Sequence, residues 1–320
     1  MILSRALPSR FRRARIALVG FGDVGQRIWA QRSAAAGGSV QAPALRAVGR
    51  RVGWDLDQPA ARQRLAGWTQ RWIILVPPRE SSGSDTRDRR SRALAQSLLQ
   101  ASGSPPRRLV YISTTGVYGD HAGQPVQETD QLRAEQPRSL RRIDAEQVWR
   151  ALGAHVLRVP GITAEDRLPI ERIQRASPAL CPEDDVFTNH IHADDLARIA
   201  WAALWRGRPR RVTNAVMQDH LKMGDYFDLI ADRMGLQRCP RISRTALAEA
   251  VNSGVLSPMM ASFMQDSRRV VGARLRELRI ALRYPRIVDV IQSAGSPPTQ
   301  SAAGPFRSES AGAPPVQALP

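Results

Sequence analysis

Short apolar runs with β-branched residues recur along the first half of the chain. They lie at residues 15–22 (RIALVGFG), 44–50 (ALRAVGR), 72–78 (WIILVPP), 108–114 (RLVYIST) and 154–161 (AHVLRVPG). Runs of this length, several of them bounded by Gly or Pro, are typical of strands that are buried on both faces of a sheet. The pattern therefore predicts five strands.

Stretches with helical periodicity lie between several of these runs. Helices are predicted at 25–34, 91–103 and 139–153, and a further one at 225–236 with Gly235 as its stop signal. Short strands that alternate with helices predict a parallel sheet covered by helices on both faces. The predicted fold class is therefore α/β, a doubly wound parallel sheet of the NAD(P)-binding Rossmann type.

The two ends of the chain differ in composition from the rest. Residues 1–13 form a basic, acid-free leader that is predicted to be flexible, although targeting peptides have a similar composition. Residues 293–320 are rich in Ser, Ala, Gly and Pro and are predicted to be disordered. Between them, we expect a nucleotide-binding domain at 14–165 and the remaining sheet elements with a substrate region at 166–292.

The chain is strongly basic, with a net charge of +18. Such a charge first suggests a nucleic-acid partner. However, Lys222 is the only lysine, and the arginines are spread along the chain instead of forming one basic block. Nucleic-acid binding is therefore not expected as the main role, and some of the charge is expected to help hold a phosphorylated cofactor.

Other classes of protein are not supported by the composition. No apolar run approaches the roughly 20 residues that a membrane-spanning helix needs. The two cysteines, Cys181 and Cys239, fit neither a metal motif nor a disulfide framework. A cytoplasmic protein with no membrane partner is expected.

The first predicted strand runs into the glycine pattern GFGDVG, residues 20–25. In this G-x-G-x-x-G arrangement Gly20 allows a tight turn, Gly22 lets the backbone approach a pyrophosphate, and Gly25 lets helix and strand pack closely. The N-terminus of the following helix offers unpaired N–H groups to an anion. The turn predicts dinucleotide binding, with a plain strand-to-helix turn as the alternative.

The end of the second predicted strand bears on the choice of cofactor. An acidic residue there would bind the ribose 2′-hydroxyl of NAD, whereas this chain has Arg50 and Arg51. Because a guanidinium matches a 2′-phosphate in charge and geometry, NADP is predicted over NAD. The alternative is that Arg50 and Arg51 are solvated and bind no cofactor. Asp55 is expected either to lie near the adenine or to be a turn residue.

Together, these motifs resemble the extended short-chain dehydrogenase/reductase superfamily, and most of all its atypical members of the NAD-dependent epimerase/dehydratase type. The segments that carry the resemblance are VGFGDVG, GRRVGWDLD, LVYISTTGVYGD, VLRVPGI and NHIHADDLA. The resemblance covers about residues 14–290 and implies a Rossmann domain with a smaller C-terminal substrate region. The cofactor-binding residues expected are Gly20, Phe21, Gly22, Asp23, Val24, Gly25, Arg50, Arg51, Asp55 and Pro77.

The resemblance also implies a catalytic hydroxyl at the end of the strand YIST, at Ser113, Thr114 or Thr115. Of these, Thr115 lies where that hydroxyl commonly occurs, and Tyr118 corresponds to a wall of the substrate cleft. Side-chain bonding to a turn backbone is the alternative for Thr114 and Thr115. Tyr118 could equally be a packing aromatic residue.

The chain departs from the family at its proton-transfer pair. The family uses a Tyr with a Lys four residues later, and these positions fall on Arg138 and Arg142. Neither arginine can readily donate a proton, because the pKa of a guanidinium stays above about 12. Arg142 could still bind the ribose or a phosphate, and both arginines could instead be solvated helix residues.

Two histidines, His190 and His192, precede a predicted helix at the motif NHIHADDLA. A metal site would need a third ligand, and Asp194 or Asp195 is explained as a helix N-cap, so no metal is expected. A cleft-lining acid/base role for either histidine is a weaker hypothesis, based on its titration near neutral pH.

These expectations combine into one function with a rival. The chain is expected to be an NAD(P)-dependent oxidoreductase or epimerase/dehydratase-like enzyme, monomeric or homodimeric. Its expected substrate is a small molecule of the nucleotide-sugar type. The rival is a non-catalytic NADP-binding sensor, which the missing Tyr/Lys pair favours.

Overall fold

The computed structural model describes residues 14–36, 43–69, 71–79, 85–102 and 108–294. The predicted leader at 1–13 lies outside the described residues, as does the predicted tail except for Ser293 and Ala294. Ser293 is the last residue of the final helix.

The described residues form many short strands and a smaller number of helices. The strands are β1 (Arg15–Val19), β2 (Ala44–Val48), β3 (Arg71–Ile74), β4 (Arg108–Thr114), β5 (Pro125–Val126), β6 (His155–Val159), β7 (Gly161–Thr163), β8 (Ala179–Leu180), β9 (Phe187–Thr188), β10 (His190–His192), β11 (Val212–Asn214), β12 (Leu221–Lys222), β13 (Arg241–Ile242) and β14 (Arg269–Val270). The α-helices are α1 (Asp23–Ala36), α2 (Pro59–Trp68), α3 (Arg89–Ser102), α4 (Pro137–Ala151), α5 (Ile170–Gln174), α6 (Ala193–Arg206), α7 (Met223–Met234), α8 (Leu247–Asn252), α9 (Pro258–Phe263) and α10 (Ile287–Ser293).

Six of the strands form one parallel sheet in the order β2-β1-β3-β4-β6-β11. The five predicted strands are all present in it, which confirms the parallel sheet, whereas β11 and helix α2 were not predicted. The chain passes from β1 to a neighbour on one side and then to β3 on the other. This reversal is the point at which open α/β sheets bind ligands beyond the carboxyl ends of their strands.

Helices cover both faces of this sheet, because alternate strand residues point to opposite sides. Ile16 and Leu18 of β1 belong to a core that includes residues of α1 and α6. Ala17 and Val19 belong to another core, which includes residues of α2, α3 and α4. The predicted doubly wound fold is thereby confirmed.

A further core lies in the C-terminal half of the chain. It is built around α7, whose Phe227, Ile230 and Ala231 are buried together with residues of α10. The helix ends where Gly235 adopts a left-handed conformation, as predicted. This core lies within residues 166–292. The role of that segment as a substrate region and the boundary between 165 and 166 stay predictions.

One predicted helix cap is wrong. Helix α6 is capped by His192, whose ring accepts the backbone N–H of Asp194 at 3.1 Å. Asp195 instead accepts the backbone N–H groups of Arg283 and Tyr284 from a distant segment, which sequence spacing does not indicate.

Among the described helices, none combines the length and apolarity that crossing a membrane requires.

Candidate functional site

The glycine turn has the geometry that its sequence predicts. Gly20 has a φ of +104°, and a Cβ there would lie 2.6 Å from the backbone nitrogen of Val76. A Cβ on Gly25 would lie 2.8 Å from the carbonyl oxygen of Gly20, whereas one on Gly22 would meet no atom within 4 Å. The turn is thus tightly packed at Gly20 and Gly25 and open at Gly22. This arrangement fits a pyrophosphate that approaches the backbone at the second glycine.

The other residues of the turn connect it to neighbouring elements. Phe21 packs edge-to-face on Trp29, with ring centroids 5.8 Å apart, and Val24 packs against the core. The Asp23 carboxylate accepts hydrogen bonds from Arg27 at 2.9 Å and from Arg167 at 2.8 Å. The start of α1 is therefore tied to the segment that follows β7.

Arg50 and Arg51 lie in a 3₁₀ turn directly after β2 (Arg50–Val52), and both are exposed. The Asp55 carboxylate accepts the backbone N–H of Asp57, as a turn residue would. These residues lie at the carboxyl end of β2, the strand next to β1 in the sheet. The structure thus places the two arginines at the strand end where the sequence expects the adenosine ribose.

A cavity of about 720 Å³ opens at the carboxyl ends of three other strands of the sheet. Pro77 and Pro78 after β3, Thr114 and Thr115 at the end of β4, and residues 160–163 after β6 all line it. Its far side is lined by residues of the C-terminal region, including helices α7 and α9. The cavity therefore lies between the sheet edge and the smaller region.

The three candidate hydroxyl groups have different surroundings. Ser113 is buried and its Oγ donates to Glu146 at 2.6 Å, and it does not line the cavity. Thr114 and Thr115 do line it, and the Oγ1 of Thr114 also accepts the backbone N–H of Gly116 at 3.2 Å. Only the two threonines are therefore placed to meet a ligand.

Tyr118 does not line the cavity, although the sequence places it in the cleft wall. Its side chain is fully buried, and its hydroxyl bonds to Asn214 at 2.8 Å and to Arg158 at 3.1 Å. Arg158 in turn forms a buried ion pair with Glu146 at 2.8 Å. The hydroxyl of Tyr118 is thus part of a polar network inside the fold.

Arg138 and Arg142, which the sequence resemblance places at the family's Tyr and Lys positions, both line the cavity. Arg142 donates to the carbonyl oxygen of Ile112 at 3.0 Å and to the hydroxyl of Tyr111 at 3.2 Å. Arg138 donates to Ser262 at 2.7 Å, and its guanidinium lies 4.8 Å from the ring centroid of Phe263. Arg138 therefore connects α4 to α9 across the cavity.

Tyr226 and His190 line the opposite wall, with ring centroids 4.3 Å apart. Burial raises the pKa of Tyr226 to about 12 and lowers the pKa of His190 to about 4. Both side chains are consequently neutral at pH 7. Tyr226 is not among the predicted site residues, because its only signal in the sequence is a phenol on the apolar side of a helix.

His192 does not line the cavity, whereas His190 does. It is fully buried, stacks on Tyr284 at a centroid distance of 3.8 Å, and bonds to Glu165 at 3.2 Å. Within the described part of the chain, no three His, Cys, Asp or Glu side chains are grouped as a metal site requires.

Comparison with known proteins adds information at the level of the fold. No protein-family model matches the sequence, and no curated protein does. A functionally unknown conserved protein from Silicibacter pomeroyi DSS is 25% identical, with a TM-score of 0.69, and the match covers 88% of this chain and 98% of that one.

Two similar structures were solved with nicotinamide cofactors. The dTDP-glucose 4,6-dehydratase DesIV from Streptomyces venezuelae, with NAD and TYD bound, is 16% identical with a TM-score of 0.67, over 88% of this chain and 95% of that one. The human epimerase family protein SDR39U1 (isoform 2), with NADPH, is 14% identical with a TM-score of 0.66, over 88% and 98%. The chain therefore has the fold of the epimerase/dehydratase-like proteins, and the resemblance inferred from its sequence is confirmed at that level.

Proposed function

We propose that the chain binds a nicotinamide dinucleotide at the glycine turn and acts as an oxidoreductase or epimerase-like enzyme on a small molecule held in the cavity. One observation carries this proposal. The open glycine turn after β1 and the cavity at the ends of β3, β4 and β6 lie on the same edge of one parallel sheet. Bound at this turn, the cofactor would supply hydride transfer, and the chain would position and polarise the substrate.

NADP is the proposed cofactor because Arg50 and Arg51 follow β2 and are exposed. A guanidinium fork binds a phosphate through two charge-assisted hydrogen bonds, whereas no carboxylate stands at these two positions to bind a ribose hydroxyl. The neighbouring Asp57 is already paired with Arg90 at 3.3 Å.

Thr115 is the proposed polarising group for a substrate oxygen, with Thr114 beside it. Both line the cavity, whereas Ser113 is committed to Glu146. Arg142 is the proposed contact for the nicotinamide ribose, since it lines the cavity on the same side.

Tyr226 is the proposed proton donor in place of the missing tyrosine. It is the only phenol among the described residues that line the cavity, and His190 is the only imidazole. Burial raises the pKa of Tyr226 to about 12, so its phenol carries a proton at neutral pH. The proposal rests on the position of Tyr226 in the cavity, because a raised pKa makes a phenol a weaker acid.

A second candidate is a non-catalytic NADP sensor. Arginines at the Tyr and Lys positions favour it, because a guanidinium neither donates nor accepts a proton at neutral pH. In that case, cofactor binding would be intact while no carbonyl or alcohol would be turned over.

Fluorescence titration of NADPH and NADH tests the cofactor proposal. Wild type should bind NADPH more tightly than NADH. Gly22→Asp should lose both, because the added carboxylate faces the open side of the turn. Gly67→Asp is a matched control, since a Cβ there also meets no atom within 4 Å and the residue is exposed on α2.

The same titration separates the two cofactors. Arg50→Gln with Arg51→Gln should weaken NADPH binding by at least about tenfold and leave NADH binding nearly unchanged. Failure of wild type to bind either cofactor would exclude both the enzyme and the sensor. If NADPH binds, loss of turnover in Thr115→Val distinguishes the enzyme from a sensor that shows no turnover at all.

A further inference from the structure

The cavity is lined by far more positive than negative side chains. Among the described lining residues, the only carboxylate is that of Asp266. The arginines in the lining are Arg138, Arg141, Arg142, Arg167, Arg172 and Arg268. Because charges of one sign in a low-dielectric cleft reinforce each other, this cavity attracts anions.

Elsewhere in the described chain, many partly buried arginines are paired with carboxylates. Arg158 pairs with Glu146 at 2.8 Å, and Arg241 pairs with Asp228 at 2.7 Å. Arg167 in the cavity pairs with Asp23 and Arg268 with Asp266. Three other cavity arginines, Arg138, Arg142 and Arg172, have no carboxylate within 4 Å among the described residues.

Arg172 is only partly exposed, and its guanidinium lies 4.3 Å from the ring centroid of Phe227. Its other partners are weak hydrogen-bond acceptors for a guanidinium. Its Nη2 donates to the carbonyl oxygen of Pro178 at 3.1 Å, and its Nη1 lies 2.6 Å from the thioether sulfur of Met260. Its Nε is buried without a hydrogen-bond partner, and burial lowers the pKa of Arg172. A buried cation without a counter-charge costs free energy, and an anionic ligand would offset that cost.

Arg138 and Arg172 approach the same short helix from two sides. Arg138 donates to Ser262 of α9, and Arg172 contacts Met260 of the same helix. Arg138 comes from α4, next to the sheet edge, whereas Arg172 comes from α5 in the C-terminal half. Their guanidinium groups therefore both reach the part of the cavity that lies against α9.

We propose that Arg138 and Arg172 form an anion-binding site beside α9, and that the substrate carries a carboxylate or phosphate group held there. This inference rests on the proposed function for the identity of the cavity as a substrate site. It gives Arg138, at the position where the family has its tyrosine, a role in substrate binding instead of proton transfer. The reacting group would then lie between this anion site and Thr115.

Thermal denaturation and calorimetric titration of the full chain with inorganic phosphate and with malonate, at constant ionic strength, test the proposal. Wild type should bind one or both anions saturably, with a rise in Tm. Arg138→Gln and Arg172→Gln should each weaken that affinity by about tenfold or more, because each removes charge-assisted hydrogen bonds. Saturation by phosphate alone supports a phosphorylated substrate, and saturation by malonate alone supports a carboxylate.

Two control variants test whether the loss of affinity is specific to Arg138 and Arg172 or follows from the loss of any positive charge. Arg150→Gln on α4 and Arg175→Gln, directly after α5, remove exposed arginines and should leave the affinity unchanged. Without anion, Arg172→Gln should fold with an unchanged or higher Tm, because an uncompensated cation is removed. Absence of saturable binding in wild type, or unchanged affinity in both Arg138→Gln and Arg172→Gln, would overturn the proposal.

The Gly22→Asp variant separates this inference from the cofactor proposal. It should lose NADPH and keep its affinity for the anion. Loss of anion binding in Gly22→Asp would place the anion at the glycine turn and overturn the inference. Anion binding that depends on Arg138 and Arg172 in a wild-type protein that binds no NADPH would support the anion site and refute the proposed function.

Discussion

At the scale of single residues, the surroundings of each hydroxyl decide what it can do. Thr115, Tyr118 and Tyr226 are all buried, yet only Thr115 and Tyr226 line the cavity. Tyr118 is held by Asn214 and Arg158 in the interior of the fold. Type and spacing alone do not distinguish these roles, because both tyrosines are aromatic residues with a polar tip.

A pair of phenylalanine substitutions tests this distinction. On a carbonyl acceptor identified by a substrate screen, Tyr226→Phe should lower kcat by roughly 10²- to 10⁴-fold, as expected for loss of a general acid. NADPH affinity and Tm should change little. Tyr118→Phe should instead lower the stability by about 1 kcal/mol and leave kcat nearly unchanged, because it removes a buried hydrogen bond. Steady-state kinetics with urea denaturation of both variants would show the opposite pattern if Tyr118 were the proton donor.

At the scale of elements, helix α4 is joined to the sheet by charge as well as by apolar packing. Glu146 of α4 accepts a hydrogen bond from Ser113 of β4 at 2.6 Å and pairs with Arg158 of β6 at 2.8 Å. The same helix carries Arg138 and Arg142 to the cavity. The buried pair therefore helps to position Arg138 and Arg142 at the cavity.

Removing one partner of the Glu146–Arg158 ion pair should strongly destabilise the fold. Glu146→Gln should lower the free energy of unfolding by about 3–5 kcal/mol, because it leaves Arg158 as an uncompensated buried charge. The double variant, Glu146→Gln with Arg158→Met, should lose less stability than the sum of the losses in the two single variants. Urea denaturation measures all three. Glu171→Gln, which removes an exposed carboxylate, is the control, and its free energy of unfolding should lie within about 0.5 kcal/mol of the wild-type value. If the stability losses of the Glu146 and Arg158 variants simply added in the double variant, the two residues would not be coupled.

At the scale of the whole molecule, buried histidines set how stability depends on pH. The Nδ1 of His155 in β6 lies 3.2 Å from the carbonyl oxygen of Arg208, and its Nε2 lies 3.1 Å from the Oγ1 of Thr213. Burial lowers the pKa of His155 from 6.5 to about 4. The pKa of His190 is lowered to about 4 in the same way.

Stability should therefore fall on acidification from about pH 6.5 to about pH 4. In that interval the unfolded chain binds protons at these histidines and the folded chain does not, so acid favours unfolding. Each histidine should account for up to about 3 kcal/mol. In urea denaturation at a series of pH values, His155→Gln should be less stable at pH 7 and should show a shallower dependence below pH 6.5. An unchanged slope would show that folding does not lower the pKa of His155.

Much of the fold can be predicted from the sequence, because it depends on local patterns. The apolar runs predict β1, β2, β3, β4 and β6, and helical periodicity predicts four helices. These patterns do not predict the short strand β11 or helix α2. A three-residue strand has too few positions to show a pattern, and α2 has an even mixture of small and charged residues.

The sequence by itself determined the glycine turn and the parallel sheet, since these follow from residue type and short-range spacing. Only the tertiary structure decided which side chains face the cavity. Residues from α4, α5, α7 and α9 come together there although Arg138 and Phe263 are 125 positions apart in the chain. It also decided that Ser113 and Tyr118 are committed to Glu146 and Arg158, because partners distant in sequence meet only when the sheet and its helices have packed.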